Sequence, residues 1–259
     1  MKGHRIVLSF FVTMVALWGA APTVAHAQCA DVDYVVLGER VRYDVTAGNA
    51  IFLKTKVTAG RSYHVMAWGP FGGGSTGADD IDVSVDLFSD ATCSTPATVV
   101  STAAFEPVPN VPGHLGAQAS IIPATTGPLY VRVRNNGTDA DVQAMIVETT
   151  LFSPWWFTGG TNQAFIELSN NMDTATTAVV TVRRADGTVC GTSPVALAPG
   201  GNAAVSIKLL GCDGSGSSQI SFNGTPGGIS ANTTTIDGVQ GTSFDSPFVP
   251  RMTWSLVAR

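Results

Sequence analysis

Charge is scarce in this chain. Asp, Glu, Lys and Arg make up 13% of its 259 residues, about half the usual share. Histidine is scarcer still, and beyond residue 28 there are only His64 and His114. Imidazole-rich metal or general-base sites are therefore short of ligands. No two of the four cysteines have the C-x-x-C spacing, so a zinc ribbon is excluded and structural disulfides are the better reading. No apolar run after the first 22 residues is long enough to span a bilayer. Nor does any stretch keep a helical period, so a parallel sheet with crossover helices is not expected. There is no basic excess to attract nucleic acid.

What is present begins with an export signal. Lys2 and Arg5 precede an apolar run from Ile6 to Ala21, then Pro22 and the small-residue site Ala25-His26-Ala27. That order predicts a cleaved secretory peptide over 1–27 and a secreted or periplasmic product. Cys29 lies near the cut but follows Gln28 rather than the small residue of a lipidation signal, so a lipid anchor is not expected. Without Lys2 and Arg5 the chain carries 12 basic and 19 acidic residues.

The remainder alternates with period two. Ile51, Leu53, Thr55 and Val57 oppose Phe52, Lys54 and Lys56; Leu129, Val131 and Val133 oppose Tyr130, Arg132 and Arg134. Ile81, Val83, Val85 and Leu87 form another apolar set, with Phe88 on the opposite one. One apolar and one polar face per strand predicts antiparallel sheets over a core. The turns Thr46-Ala47-Gly48, Thr58-Ala59-Gly60 and Thr125-Thr126-Gly127 each put a glycine where a positive φ reverses the chain. New alternation starts near Leu151: Ala164, Ile166 and Leu168, then Ala178, Val180 and Val182, then Ala203, Val205, Ile207 and Leu209. Asp186-Gly187 and Pro199-Gly200-Gly201 are tight-turn signals between them. The reading is all-β: two antiparallel β-sandwich domains in series, 28–150 and 151–259, after the signal peptide. Within that division Cys29 pairs with Cys93 and Cys190 with Cys212.

Candidate chemistry is thin. Gly73-Gly74-Ser75-Thr76-Gly77 matches the G-x-S-x-G of hydrolases but leads into no helix, so a surface loop is the better reading. His64 shares a strand face with Met66 and Trp68 and reads as a packed or surface ring rather than a general base; His114 sits in a loop with no evident partner. Asp79, Asp80 and Asp82 are the candidate metal ligands, with calcium the candidate cofactor. Three carboxylates near one loop suit that ion, and a solvated acidic edge is the competing reading. Trp155-Trp156 is the candidate ligand platform. Adjacent strand residues point to opposite faces, so at most one indole is exposed, and the pair is expected instead to clamp the two sandwiches together.

The pieces Phe52-Leu53-Lys54 through Ala59-Gly60-Arg61-Ser62-Tyr63, the strand Asp82 to Phe88 and Leu129-Tyr130-Val131-Arg132-Val133 resemble the bacterial pre-peptidase C-terminal domain over most of 34–148. From Leu151-Phe152-Ser153-Pro154-Trp155-Trp156 to Pro250-Arg251 the chain looks like an Ig-like module of exported bacterial proteins. The first resemblance implies an accessory, non-catalytic role in adhesion or substrate binding, in a family some of whose members bind calcium. The expected partner is a protein or carbohydrate at the cell surface. The alternative is a calcium-dependent module that targets a secreted hydrolase, and a cryptic serine hydrolase stands last.

Overall fold

A computed structural model describes residues 29, 32–69, 83–97, 101–105, 116–136 and 140–250, with backbone alone for 101–105 and 140. The N-terminal half holds β1 (Asp33–Tyr34), β2 (Arg40–Val45), β3 (Ala50–Val57), β4 (Tyr63–Trp68), β5 (Val83–Phe88), β6 (Ser101–Phe105), β7 (Gly116–Ile121), β8 (Gly127–Asn135) and β9 (Ala140–Glu148). The C-terminal half holds β10 (Leu151–Thr158), β11 (Asn162–Asn170), β12 (Thr176–Arg184), β13 (Val189–Leu197), β14 (Asn202–Ser206), β15 (Gly214–Phe222), β16 (Ile229–Asp237), β17 (Thr242–Pro247) and β18 (Val249–Pro250). A single turn of 3-10 helix, Lys208–Leu210, is the only helical element among the described residues.

Among the described residues, four sheets enclose two apolar cores. In the N-terminal half, the sheet β1-β3-β8-β5 faces the sheet β2-β9-β4-β7-β6. Leu53, Val131 and Val133 from the first meet Val65, Ala144 and Ile146 from the second, all of them buried. In the C-terminal half, β13-β12-β15-β10-β18 faces β14-β11-β16-β17. There Val180, Val182 and Ile220 meet Ile166 and Leu168. The period-two reading matches the burial of β8, β11 and β12 residue by residue, and that of β3 from Leu53 onward, Ile51 being only half-buried. Strand pairing is antiparallel throughout the described residues except for the short β1, which runs parallel to β3.

Turns follow the glycines in two of the three expected places. Gly48 and Gly60 have φ of 77° and 72°, a region a side chain strains to enter. Gly127 does not; it opens β8 in extended conformation after a bend at 124–126. Asp186 closes the β12–β13 hairpin by accepting from the Thr188 N–H at 2.9 Å and the Thr188 hydroxyl at 2.7 Å. The alternation expected through Leu209 stops at Ser206. Ile207 is fully buried, but Leu209 falls in the 3-10 turn and is 89% exposed.

Both disulfides form as the division of the chain predicted, Cys29–Cys93 with Cα atoms 5.8 Å apart and Cys190–Cys212 at 5.4 Å. Phe88 departs from its expected place on a polar face: it is buried under the Cys29–Cys93 bridge, with Phe52 and Tyr130 alongside. Among the described residues, no helix is long and apolar enough to cross a membrane. The link between the halves is buried rather than slack. The Thr149 N–H donates to the Ser62 carbonyl at 2.9 Å, and the Ser62 N–H donates to the Thr150 hydroxyl at 2.8 Å.

Candidate functional site

The tryptophan pair splits as strand geometry demands, but it makes no clamp through Trp156. That indole is fully buried in the C-terminal core, where its Nε1–H donates to the Arg183 and Ser217 carbonyls at 3.1 and 3.0 Å. A buried ring offers no face to a ligand, so Trp156 leaves the candidate platform; Trp155 remains, 42% exposed. The reason is a β-bulge between Ser153 and Trp156, where the register against β15 shifts. It turns Trp156 inward, and Gly216 opposite leaves no room for a side chain: a Cβ there would meet the Arg183 carbonyl oxygen.

Contact between the halves runs instead through the turn after β3. The Gly60 carbonyl accepts from Gln219 Nε2 at 2.9 Å and Ser221 Oγ at 2.6 Å. The Arg61 guanidinium stands 5.4 Å over the Phe152 ring and pairs with Glu148 at 3.3 Å.

Beside this contact, β7 supplies one wall of a groove. Ala119 and Ile121 point into the core, so Gln118 and Ser120 point the other way. Ser120 lies directly opposite His64 on β4, and its hydroxyl is 2.8 Å from His64 Nδ1. Both are 2% exposed. Burial pushes the imidazole down from 6.5 to about 4, because the ring loses hydration that its charged form needs; the Gln118 amide beside it opposes this weakly. Even so, neither His64 Nε2 nor Gln118 Oε1 completes a hydrogen bond. Of the packed and surface positions its strand face allowed, the ring takes the packed one, and the Ser–His pair is sealed from solvent.

Gln118 faces loops of the C-terminal half. Residues 171–174 and 225–228 complete a cavity of about 490 Å³ with it, and Thr174 is shared with a second cavity of about 620 Å³ reaching Ala196 and Asn223. The loops are pinned from below. Asn170 Nδ2 donates to the Thr174 carbonyl at 2.8 Å and the Ala198 carbonyl at 2.9 Å, and Asn171 Nδ2 donates to the Gly227 carbonyl at 3.0 Å. Gly224 and Gly228 lack side chains where Met172 Sδ lies, 2.5 and 2.7 Å from where a Cβ would be. Asp173 is the only charged residue lining either cavity among the described residues. Asn223 Oδ1, like Gln118 Oε1, is buried without a partner. Such a surface can exchange hydrogen bonds with an uncharged ligand, and its described residues include no cation with which to hold an anion.

Asp79, Asp80 and Asp82 lie outside the described residues, as do Ser75 with its Gly-rich run, His114 and residues 1–28. Among the described residues no group of three or more His, Cys, Asp or Glu gathers to hold a metal. The groove escapes a sequence reading for a definite reason. Its loops, Asn171 to Thr174 and Asn223 to Gly228, have ordinary turn composition, and Gln118 is more than 50 residues from either.

No family model matches the chain, and no curated protein matches it in sequence. Among solved structures, the beta-glucuronidase of Bacteroides uniformis is similar over 78% of this chain and 26% of its own, at 12% identity and a TM-score of 0.20. This chain thus spans about a quarter of that protein's length. A likeness at that level carries nothing about function.

Proposed function

We propose that the chain is an exported, non-catalytic protein of two β-sandwich domains, 28–150 and 151–259, that binds a partner at the cell surface. The observation that carries this reading is the groove, whose described lining is polar and uncharged apart from Asp173. It is wide, it is walled by hydrogen-bonding side chains on loops held by their own hydrogen bonds, and it joins residues of both halves. Rigid walls suit binding because little ordering entropy is lost when a partner arrives. The two disulfides suit export, since such bonds persist in oxidising compartments. The resemblance of 34–148 to the pre-peptidase C-terminal domain points the same way, towards an accessory role.

The test is retention of the labelled protein on intact cells of its source. Thr174 and Ala196 are exposed on the groove walls, so Thr174→Arg and Ala196→Arg block it without entering a core. Each is expected to abolish retention while leaving thermal unfolding unchanged. Retention that survives both substitutions sinks the reading. A serine-reactive fluorophosphonate is expected to leave the protein unlabelled; labelling of Ser120, whose hydroxyl already touches His64, would instead make it a hydrolase.

A further inference from the structure

We infer that the groove is a subsite for a neutral saccharide, whose hydroxyl groups donate to Gln118 Oε1 and Asn223 Oδ1. This rests on the groove being the binding site, and it names the chemistry that site would accept. Three features select the ligand class.

The first is charge. Among the described residues Asp173 is the only ionised lining group, so phosphate, sulfate and uronate find no counter-charge there, and a cation finds one carboxylate where several oxygens are wanted.

The second is unmet valence. Buried acceptors are almost always satisfied, because an unpaired one loses its water and gains nothing. Gln118 and Asn223 each keep an amide oxygen in that condition at the groove. The terminal amide torsion is broad, so a turn of the Asn223 amide, or of the Gln118 amide away from the His64 ring, presents its oxygen to a donor entering from the groove. Hydroxyl groups bring donors; an aliphatic or aromatic ligand does not.

The third is reciprocity. The walls carry the hydroxyls of Thr174, Thr177 and Thr225, which both donate and accept, as saccharide hydroxyls do. A peptide is the poorer match because it needs an apolar socket for a side chain. Here the larger apolar neighbours are already committed: Leu197 is 3% exposed, and Met172 packs into the C-terminal core.

The experiment is a glycan array holding neutral, sulfated and uronate oligosaccharides, probed with the oxidised full chain and followed by titration of whichever neutral glycan binds. Gln118→Leu and Asn223→Leu are each expected to weaken that binding about tenfold, the loss of one hydrogen bond. Asn223→Asp, which keeps an acceptor in place, should retain it, and Thr174→Arg should abolish it. Preference for charged glycans, or unchanged affinity in both Leu variants, would overturn the assignment. So would an array with no binder; if Thr174→Arg still abolished retention on cells in that case, the groove would stand as a site for another class of partner. If Thr174→Arg changed neither readout, the site and its ligand class would fall together.

Discussion

The two halves of the molecule solve one packing problem with their disulfides in opposite places. In the N-terminal half Cys29–Cys93 lies outside the main core, forming a small cluster with Phe88, Phe52 and Tyr130 on the far face of a sheet. In the C-terminal half Cys212 is fully buried and belongs to the core itself, beside Trp156, Ile207 and Ile220. Gly191 lets this bridge close: a Cβ there would sit 2.6 Å from Leu210 Cβ and 3.3 Å from Cys212 Sγ. One bridge therefore tethers an edge, while the other fills volume. Polar burial is also unequal. The N-terminal half buries a titratable ring, His64, whereas the C-terminal half has no histidine at all. The same architecture thus reaches stability by routes that respond differently to mutation, reduction and pH.

Trp156→Ala should break the C-terminal half most severely. It empties the largest fully buried side chain among the described residues and removes the indole hydrogen bonds to the Arg183 and Ser217 carbonyls. The expected loss is about 3–5 kcal/mol, read as early hydrogen exchange in β10–β18 while β1–β9 stay protected. Equal deprotection of both halves would show that they unfold as one unit.

Next in size are the bridges. Loop-closure entropy alone ranks Cys29–Cys93, separation 64, above Cys190–Cys212, separation 22, by about 1 kcal/mol. Burial of Cys212 is expected to reverse that order. The double alanine variant at 190 and 212 should lose about 5 kcal/mol in denaturant melts, core volume adding to chain entropy, and the variant at 29 and 93 about 4. If the N-terminal pair proves costlier, chain entropy outweighs core volume here.

Acid sharpens the contrast. Above pH 6.5 His64 is neutral both folded and unfolded, so it adds no pH dependence. As pH falls from 6.5 towards 4 the unfolded chain takes the proton first, and stability is lost progressively, by about 3 kcal/mol once the folded ring is also protonated. The N-terminal half should weaken across that window and His64→Gln should flatten the decline. Asp186 and Asp237, each held below the usual carboxylate value by hydrogen bonds from neighbouring groups, lose their contribution only at lower pH. The C-terminal half is therefore expected to hold steady down to about pH 4. Chemical denaturation monitored by hydrogen exchange at several pH values separates the two halves.

The smallest effect is at the junction. Arg61→Ala removes the contact with Phe152 and leaves Glu148, whose side chain is 5% exposed, without this ion-pair partner. The expected loss is about 1 kcal/mol, seen less in overall stability than as two calorimetric transitions drawing apart. Coincident transitions in the variant would mean that the buried Thr149-Thr150 link couples the halves by itself.

The all-β class, the faces of β3, β8, β11 and β12, the turns at Gly48, Gly60 and Asp186, and both cysteine pairs were legible in the sequence. Each depends on neighbours a few residues apart, or on which half a cysteine occupies, and a two-residue period or a positive-φ glycine leaves a local trace. Leu209 and Gly127 were misread because alternation and glycine spacing continue past the point where the backbone changes conformation. Trp156 went inward, and off any ligand face, because of a bulge that only pairing with β15 creates. The groove was the least legible: Gln118, Thr174 and Asn223 come from separate strands and loops, and their meeting depends on how the Gly60 turn seats against Gln219 and Ser221. Residue type and period determined which surfaces had to be buried; long-range packing alone decided which polar groups were left facing one another without partners.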